Sequence, residues 1–305
     1  MNLLIPVDHG NSAIKTVSHE FPTGLIGQSA DSRFADDVVT YNGQVYSLVK
    51  ERNIPYTYDK SADDTFFVLT LFAIGKELVS RNVFVGIITV DLAVGLPPEH
   101  YSSLMEPFHD YFKKGNVTFS YNGVTYNIMI RNVFVYPQAY AAAITNEQAF
   151  MEKDSIFLVD IGGYTTDVLH LMKGDLDMAF CKSIPMGTIT LVNDIATKFN
   201  SDYTIRESHI HSVLNGGDTI LPDDVKRIIM SDVEAYSRQT IDKLRELRID
   251  LRSDPAVFLG GGAIMLKKYL NEDKRIGKAY YIDDTKANAK GYEILARQDM
   301  IALAV

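Results

Sequence analysis

The sequence predicts an α/β protein built from two halves, and three observations predict it. An apolar strand ends on an aspartate, turns through glycine and returns to the sheet at "DHGNSAIK"; the same arrangement recurs at "DIGGYTTD". Later in each half a strand feeds a helix, at "RNVFVYPQAYAAAI" and at "AVFLGGGAIML". The 305 residues are long for one core and ordinary for two, and the second half begins near residue 154.

The elements follow from local pattern. Residues 2 to 17 read as a hairpin turning through "DHGN". Residues 18 to 62 carry short strand signals, among them "YNGQVYSL", whose Asn-Gly pair favours a tight hairpin. Helical periodicity over 63 to 81 contains the longest apolar run, "FFVLTLFAIG", too short to span a bilayer and suited to a buried helix. "VFVGIITVDLAVGLPP" is a strand stopped by Pro97 and Pro98, which suit the first turn of a helix over 98 to 114. "VTFSYNGVTYNIMI" is a second Asn-Gly hairpin, and "RNVFVYPQAYAAAITNEQAF" is a further strand and then a helix with Pro137 at its start. In the second half "DMAFCKSIP" is a strand and "GTITLVNDIATKF" a helix. Helices are expected over 205 to 214 and 223 to 249, a strand over 279 to 282 and a terminal helix over 286 to 303.

Composition narrows the function. A 46% hydrophobic, 23% charged chain without low-complexity tracts supports a sizeable core. The net charge of -9 argues against direct binding of nucleic acid, which needs a basic surface, and leaves a basic protein partner open. The single Cys181 forms no internal disulfide, so a reducing cytoplasm is expected; no basic stretch precedes the first apolar run, which reads as a strand rather than a signal peptide.

The two turns carry the chemistry. One gathers Asp8, Gly10, Asn11, Ser12 and Lys15; the other gathers Asp160, Gly162, Gly163, Thr165 and Thr166. Glycine admits close approach of a ligand, and exposed N–H and hydroxyl groups cradle phosphate oxygens. Lys15 adds a point charge. Two carboxylates beside a polyphosphate repel it unless a divalent cation lies between them, and Mg²⁺ binds through one or two carboxylates, phosphates and waters. Either turn alone is equally an ordinary hairpin; the repetition favours a site. Gly260, Gly261 and Gly262 precede a helix, a place for a base or phosphate or simply for close packing. Gln138 is expected in the first turn of its helix, where it could position a water or merely be solvated. Gly187 and Thr188 precede another helix, a further place for a phosphate contact, or Thr188 simply caps that helix. Glu207 follows Thr204 at capping-box spacing and could otherwise touch a ribose. The P-loop and dinucleotide fingerprints are absent, as are zinc spacings and a serine nucleophile elbow. His209 and His211 do not share a helical face, and "KLRELRIDLR" reads as a solvated helix face.

In this order the motifs resemble those of the actin superfamily of two-domain ATPases. "DHGNSAIK" is similar to its first phosphate loop, "VYPQAYAAAI" to its first connecting helix and "VDIGGYTTDV" to its second phosphate loop. "PMGTITL" is similar to its second connecting segment and "LGGGA" to its adenine loop, so the likeness spans 8 to 263. Within the superfamily the chain most resembles the bacterial ParM-type (StbA-type) plasmid-segregation actins, by the "GLP" turn at 95 to 97, the "DIGGYTTDV" loop and the terminal "NAKGYEIL". Gln138 departs from many ParM-type proteins, which have Glu there, and agrees with eukaryotic actin. The resemblance implies an actin-like (ribonuclease H-like) α/β fold, with residues 1–153 and 286–305 in one domain, 154–285 in the other, and ATP-Mg in the cleft between them. Asp8 and Asp160 would hold Mg²⁺ through water. Gly10, Asn11, Ser12, Lys15, Gly162, Gly163, Tyr164, Thr165 and Gly187 would serve the phosphates. Gln138 would orient the water, and Gly260, Gly261, Gly262 and Glu207 would hold the nucleoside. ATP is favoured by the adenine-loop likeness, with GTP open. The resemblance also implies filaments that move plasmid DNA through a DNA-binding adaptor of ParR type, without direct DNA or membrane contact. A small-molecule kinase or a monomeric regulatory ATPase on the same fold is the alternative.

Overall fold

Seven consecutive buried residues, Leu3 to His9, put the first strand in the middle of a sheet rather than at its edge. The chain is described by a computed structural model over residues 1–28, 37–84, 86–150, 152–199 and 203–303. It separates into two units, Met1–Asn146 with Lys286–Val305, and Glu147–Thr285.

The first unit contains β1 (Asn2–His9), β2 (Ala13–Lys15), β3 (Glu20–Pro22), β4 (Leu25–Gln28), β5 (Val38–Tyr41), β6 (Gln44–Leu48), α1 (Thr65–Ser80), β7 (Ile87–Leu96), α2 (Pro98–Phe112), β8 (Gly115–Tyr121), β9 (Val124–Pro137) and α3 (Tyr140–Ile144). The second contains α4 (Glu147–Phe150), β10 (Ile156–Ile161), β11 (Thr166–Met172), β12 (Asp175–Ile184), α5 (Thr188–Phe199), α6 (Glu207–Leu214), α7 (Asp223–Glu246), β13 (Ala256–Leu259), α8 (Gly260–Glu272) and β14 (Ala279–Ile282). The terminal helix α9 (Ala287–Ala302) belongs to the first unit.

The first sheet runs β3-β2-β1-β7-β9-β8-β5-β6-β4 and the second β12-β11-β10-β13-β14. The second sheet repeats the first five strands of the first. In both, two antiparallel pairings lead to a central strand and two parallel pairings follow it. That repetition is the structural form of the echo between "DHGNSAIK" and "DIGGYTTD". The first sheet also carries both Asn-Gly hairpins, β5–β6 and β8–β9, where Asn42, Gly43, Asn122 and Gly123 all take the positive φ that a tight hairpin requires.

One face of the first sheet packs on α1 and α2 through Phe66, Phe67, Phe72, Phe108 and Phe112. The opposite face receives α9, where Tyr292 and Ala296 pack with Leu4, Ala93 and Ala141. "NAKGYEIL" thereby acquires a physical meaning. A Cβ on Gly291 would collide with the carbonyl of Ala141, so only glycine lets α9 lie on α3. In the second unit α5, α6, α7 and α8 share one core with Phe157, Val159 and Phe258 of the sheet.

Three local expectations change. The second hairpin and the strand at 131 to 137 are one strand, β9, because Arg131 is absorbed at an irregularity between Val90 and Asp91 of β7. Asp91, fully buried, receives Arg131 Nε at 3.0 Å and Asn132 Nδ2 at 2.9 Å, which holds that irregularity. Pro137 ends β9, paired with Leu96, and does not start a helix; α3 begins at Tyr140. The capping box expected from Thr204 to Glu207 is displaced, since α6 begins at Glu207 and Arg206 N–H donates to His209 Nδ1 at 3.3 Å.

Candidate functional site

In the first unit β1 and β2 place Asp8 directly opposite Lys15. Residues opposed in an antiparallel pair share a face, so the carboxylate and the ammonium lie on one side of the hairpin. Asp8 is buried, and desolvation raises its pKa against the lowering influence of Lys15, Lys60 and a hydrogen bond from Gln138. Gln138 Nε2 donates to Asp8 Oδ1 at 2.9 Å. A carboxylate offers only acceptors, so the amide nitrogen faces it and Oε1 remains for another donor. The turn between the strands is braced from below. Buried Thr23 donates its hydroxyl to Gly10 O at 2.6 Å, and its N–H to Ser12 O at 3.0 Å. Asn11 and Lys15 are half-buried in this hairpin. Ser12 Oγ is buried without a hydrogen-bond partner, at the position where the sequence predicts a phosphate contact. Such an atom costs free energy until an acceptor or donor reaches it.

Two neighbours of Asp8 went unread in the sequence. Lys60, buried and supplied by the loop before α1, donates Nζ to the carbonyl of His9 and lies 5.4 Å from the Phe66 ring centroid. His9 is fully buried, with Nε2 2.8 Å from Thr70 Oγ1 and its ring stacked on Phe112 at 4.9 Å. Burial, then the charge of Lys60, lowers the His9 pKa from 6.5 to about 3. The unfolded chain therefore binds the His9 proton below pH 6.5 while the native protein refuses it down to about pH 3. Stability contributed by His9 falls as pH falls through that window, by about 1.4 kcal/mol per pH unit. Asp8, with its raised pKa, works in the opposite sense. Denaturant unfolding of wild type and His9→Phe between about pH 5 and 7 isolates the histidine. The wild-type slope is expected to exceed the variant's, and equal slopes would contradict the assignment.

In the second unit β10 and β11 set Asp160 directly opposite Asp167. Like charges so placed repel, which suits a cation-binding face. Asp167 is a candidate site residue that the turn motif leaves unassigned, although its distance from Asp160 across a four-residue turn gives the pairing. Gly162 N–H donates to Thr165 O at 2.8 Å to close that turn, and Thr165 Oγ1 donates to Asp167 Oδ2 at 3.2 Å. Tyr164 is half-buried in it. Thr166 is buried, and its hydroxyl donates to Met186 O at 2.7 Å, so it anchors the loop.

Gly187 and Thr188 hold that loop from behind. Thr188 and Ile189 N–H donate to Gly162 O at 3.0 Å and Gly163 O at 2.8 Å, and Gly187 N–H donates to Thr190 Oγ1 at 3.1 Å. The first N–H groups of α5 are thus engaged by the glycine loop. A side chain on Gly187 would strike Gly163, and Tyr236 OH donates to Gly187 O at 2.8 Å. Gly260, at φ +86, turns β13 directly into α8; a Cβ there would meet the Asp160 carboxylate, and one on Gly262 would meet Ile161. The three glycines are therefore the first turn of α8, with Gly261 between the two packed positions. Glu207 begins α6, its Oε1 3.7 Å from His211 Nε2.

Each unit by itself presents a strand-end aspartate beside a glycine turn. Among the described residues no group of three or more His, Cys, Asp or Glu could hold a metal. A cation at either aspartate would complete its shell with waters or ligand oxygens, the habit of Mg²⁺. Among the described residues no helix is long and apolar enough to cross a membrane.

Comparison with known proteins agrees with this architecture. Residues 6–140 match the family model described as actin like proteins N terminal domain. The structure of an archaeal actin homolog, Ta0583, in complex with ADP aligns with a TM-score of 0.77 at 16% identity, over 97% of this chain and 99% of that one. A 15-stranded ParM filament from Clostridium botulinum aligns with a TM-score of 0.74 at 19% identity, over 98% and 100%. The apo psk41 ParM protein aligns with a TM-score of 0.73 at 16% identity, over 100% and 99%. A search of curated protein sequences finds no match to this chain.

Proposed function

From a chain that has the actin-superfamily fold, with residues 6–140 matching the N-terminal domain of actin-like proteins, we propose an ATPase that assembles into filaments. The observation that carries the reading is the Asp8 group. A buried aspartate faces Lys15, accepts from Gln138, and stands two residues before a turn whose Ser12 hydroxyl lacks a partner. Those groups suit a polyphosphate with its cation. The ADP complex of the archaeal homolog and the filament of the Clostridium botulinum protein support extending this to nucleotide binding and self-association.

In this reading each turn receives nucleotide phosphate. An aspartate of each turn, Asp8 and Asp160, would serve Mg²⁺, with Asp167 adding charge beside Asp160. The cation offsets phosphate charge when bound. Lys15, Ser12, Asn11, Gly10, Gly162, Gly163, Tyr164 and Thr165 receive phosphate oxygens. Gly187 acts by packing, keeping Gly163 and Tyr164 in place. Gly260, Gly261, Gly262 and Glu207 hold the nucleoside, ATP first and GTP second. Gln138, its Nε2 fixed by Asp8, presents Oε1 to the attacking water, and orientation of this kind lowers the barrier without new covalent chemistry. The filament would carry plasmid DNA through a DNA-binding adaptor of ParR type, a route that the net charge of -9 favours over direct contact with DNA.

Phosphate release with ATP-Mg tests the site. Gln138→Ala is expected to slow release about tenfold to a hundredfold while nucleotide affinity changes less than about threefold. Loss of binding instead would give Gln138 another role. Unchanged release would remove it from the mechanism.

A further inference from the structure

The backbone that presents Gln138 is held in a costly shape. Tyr140 N–H donates to Gln138 O at 2.7 Å, which closes a three-residue turn, and its central residue, Ala139, has φ 61 and ψ −47. A γ-turn of this sign is rare and strained, and alanine lacks the freedom that glycine would bring. Such a backbone persists only where its surroundings hold it. Two hydrogen bonds do so here. Gln138 N–H donates to Leu96 O at 2.9 Å, continuing the β7–β9 ladder by one residue. Ala139 N–H donates to the side-chain Oδ1 of Asn288 at 2.9 Å, from a residue 149 positions away in α9.

Asn288 is itself placed with care. Gly291 seats α9 on Ala141, the residue two after Ala139, and Tyr292 is fully buried and stacked on Tyr136 at 6.2 Å. The helix that supplies Asn288 is therefore fixed against both ends of the turn it serves. The same turn aims Gln138 Nε2 at Asp8.

We propose that Asn288 is a positioning residue for Gln138, acting through Ala139: its amide oxygen keeps the strained turn closed and so keeps Gln138 on Asp8. The proposal rests on the reading of Gln138 as the residue that orients the hydrolytic water. It gives the C-terminal helix a part in hydrolysis beyond packing. An Asn288 whose only task is to dock α9 would affect stability alone.

The experiment compares steady-state phosphate release by wild type, Gln138→Ala, Asn288→Ala, Asn288→Asp and the double variant Gln138→Ala/Asn288→Ala, with thermal melts alongside. Asn288→Ala is expected to lower kcat about tenfold, with KM within about twofold. Asn288→Asp keeps the acceptor oxygen and should stay within about threefold of wild type. The double variant should be no slower than Gln138→Ala, because residues acting as one unit are not additive. Adding Ala139→Gly to Asn288→Ala should recover part of the loss, since glycine adopts the turn without strain. A normal kcat in Asn288→Ala beside a slow Gln138→Ala overturns the inference alone. So does an additive double variant, or a loss that neither Asn288→Asp nor Ala139→Gly restores. A Gln138→Ala enzyme as fast as wild type overturns the assignment of Gln138 and this inference together.

Discussion

Gly291→Val should unfold the first unit's C-terminal attachment and cost more than about 4 kcal/mol. The added side chain would meet backbone, the carbonyl of Ala141, and not the yielding end of a flexible neighbour. Overpacking against a side chain often relaxes at modest cost, but a helix-to-helix backbone contact has no such outlet. Relief requires α9 to lift from α3, which exposes Tyr292 and Ala296 and withdraws Asn288 from Ala139. Urea unfolding measures the loss. Leu303→Ala, at a residue 75% exposed, is the control and should stay within about 0.5 kcal/mol of wild type. A Gly291→Val protein as stable as wild type would mean that α9 does not pack as described.

Asp160→Asn should lower phosphate release about a hundredfold or more while leaving the nucleotide-free protein as stable as before, or more so. The asparagine keeps the shape of the aspartate beside Gly260 and removes one of two like charges opposed across β10 and β11. In the proposed site that opposed pair would meet a cation. A residue kept for binding shows this signature, lost function with retained or increased stability. Phosphate release and a thermal melt without nucleotide read the two halves separately. Normal release would remove Asp160 from the site, and a large drop in stability would make it structural.

The parts of this architecture that were legible are those written in short-range pattern. Asp8 and Asp160 stand where an apolar strand stops, with glycine two residues on, and both hairpins formed where Asn-Gly requires positive φ. The repetition of the strand-turn-strand unit predicted the repetition of the sheets. Gln138 was found for its chemistry but misplaced by one element. Pro137 suits a helix start as well as a strand end, and only pairing with Leu96 decides between them. Glu207 kept its helix but lost its capping partner, since Arg206, not Thr204, adjoins the first turn.

What the sequence hid is what distance in the chain brings together. Lys60 reaches His9 across 51 residues, and Asn288 reaches Ala139 across 149. Lys60 lies in a polar loop without a pattern of its own, and Asn288 opens the "NAKGYEIL" stretch without any local sign of the backbone it reaches. Thr23 and Tyr236, which brace the two glycine turns from behind, are silent for the same reason. Burial and hydrogen bonding of such residues are properties of the folded sheet, and no local period records them.

Right-angle light scattering on addition of ATP-Mg, over a series of protein concentrations, tests the central claim most directly. The account predicts scattering that rises only above a threshold concentration, depends on Mg²⁺, and decays as phosphate is released. Electron micrographs of the same samples should show filaments. A flat trace at every concentration, with nucleotide turned over or ignored, would contradict it.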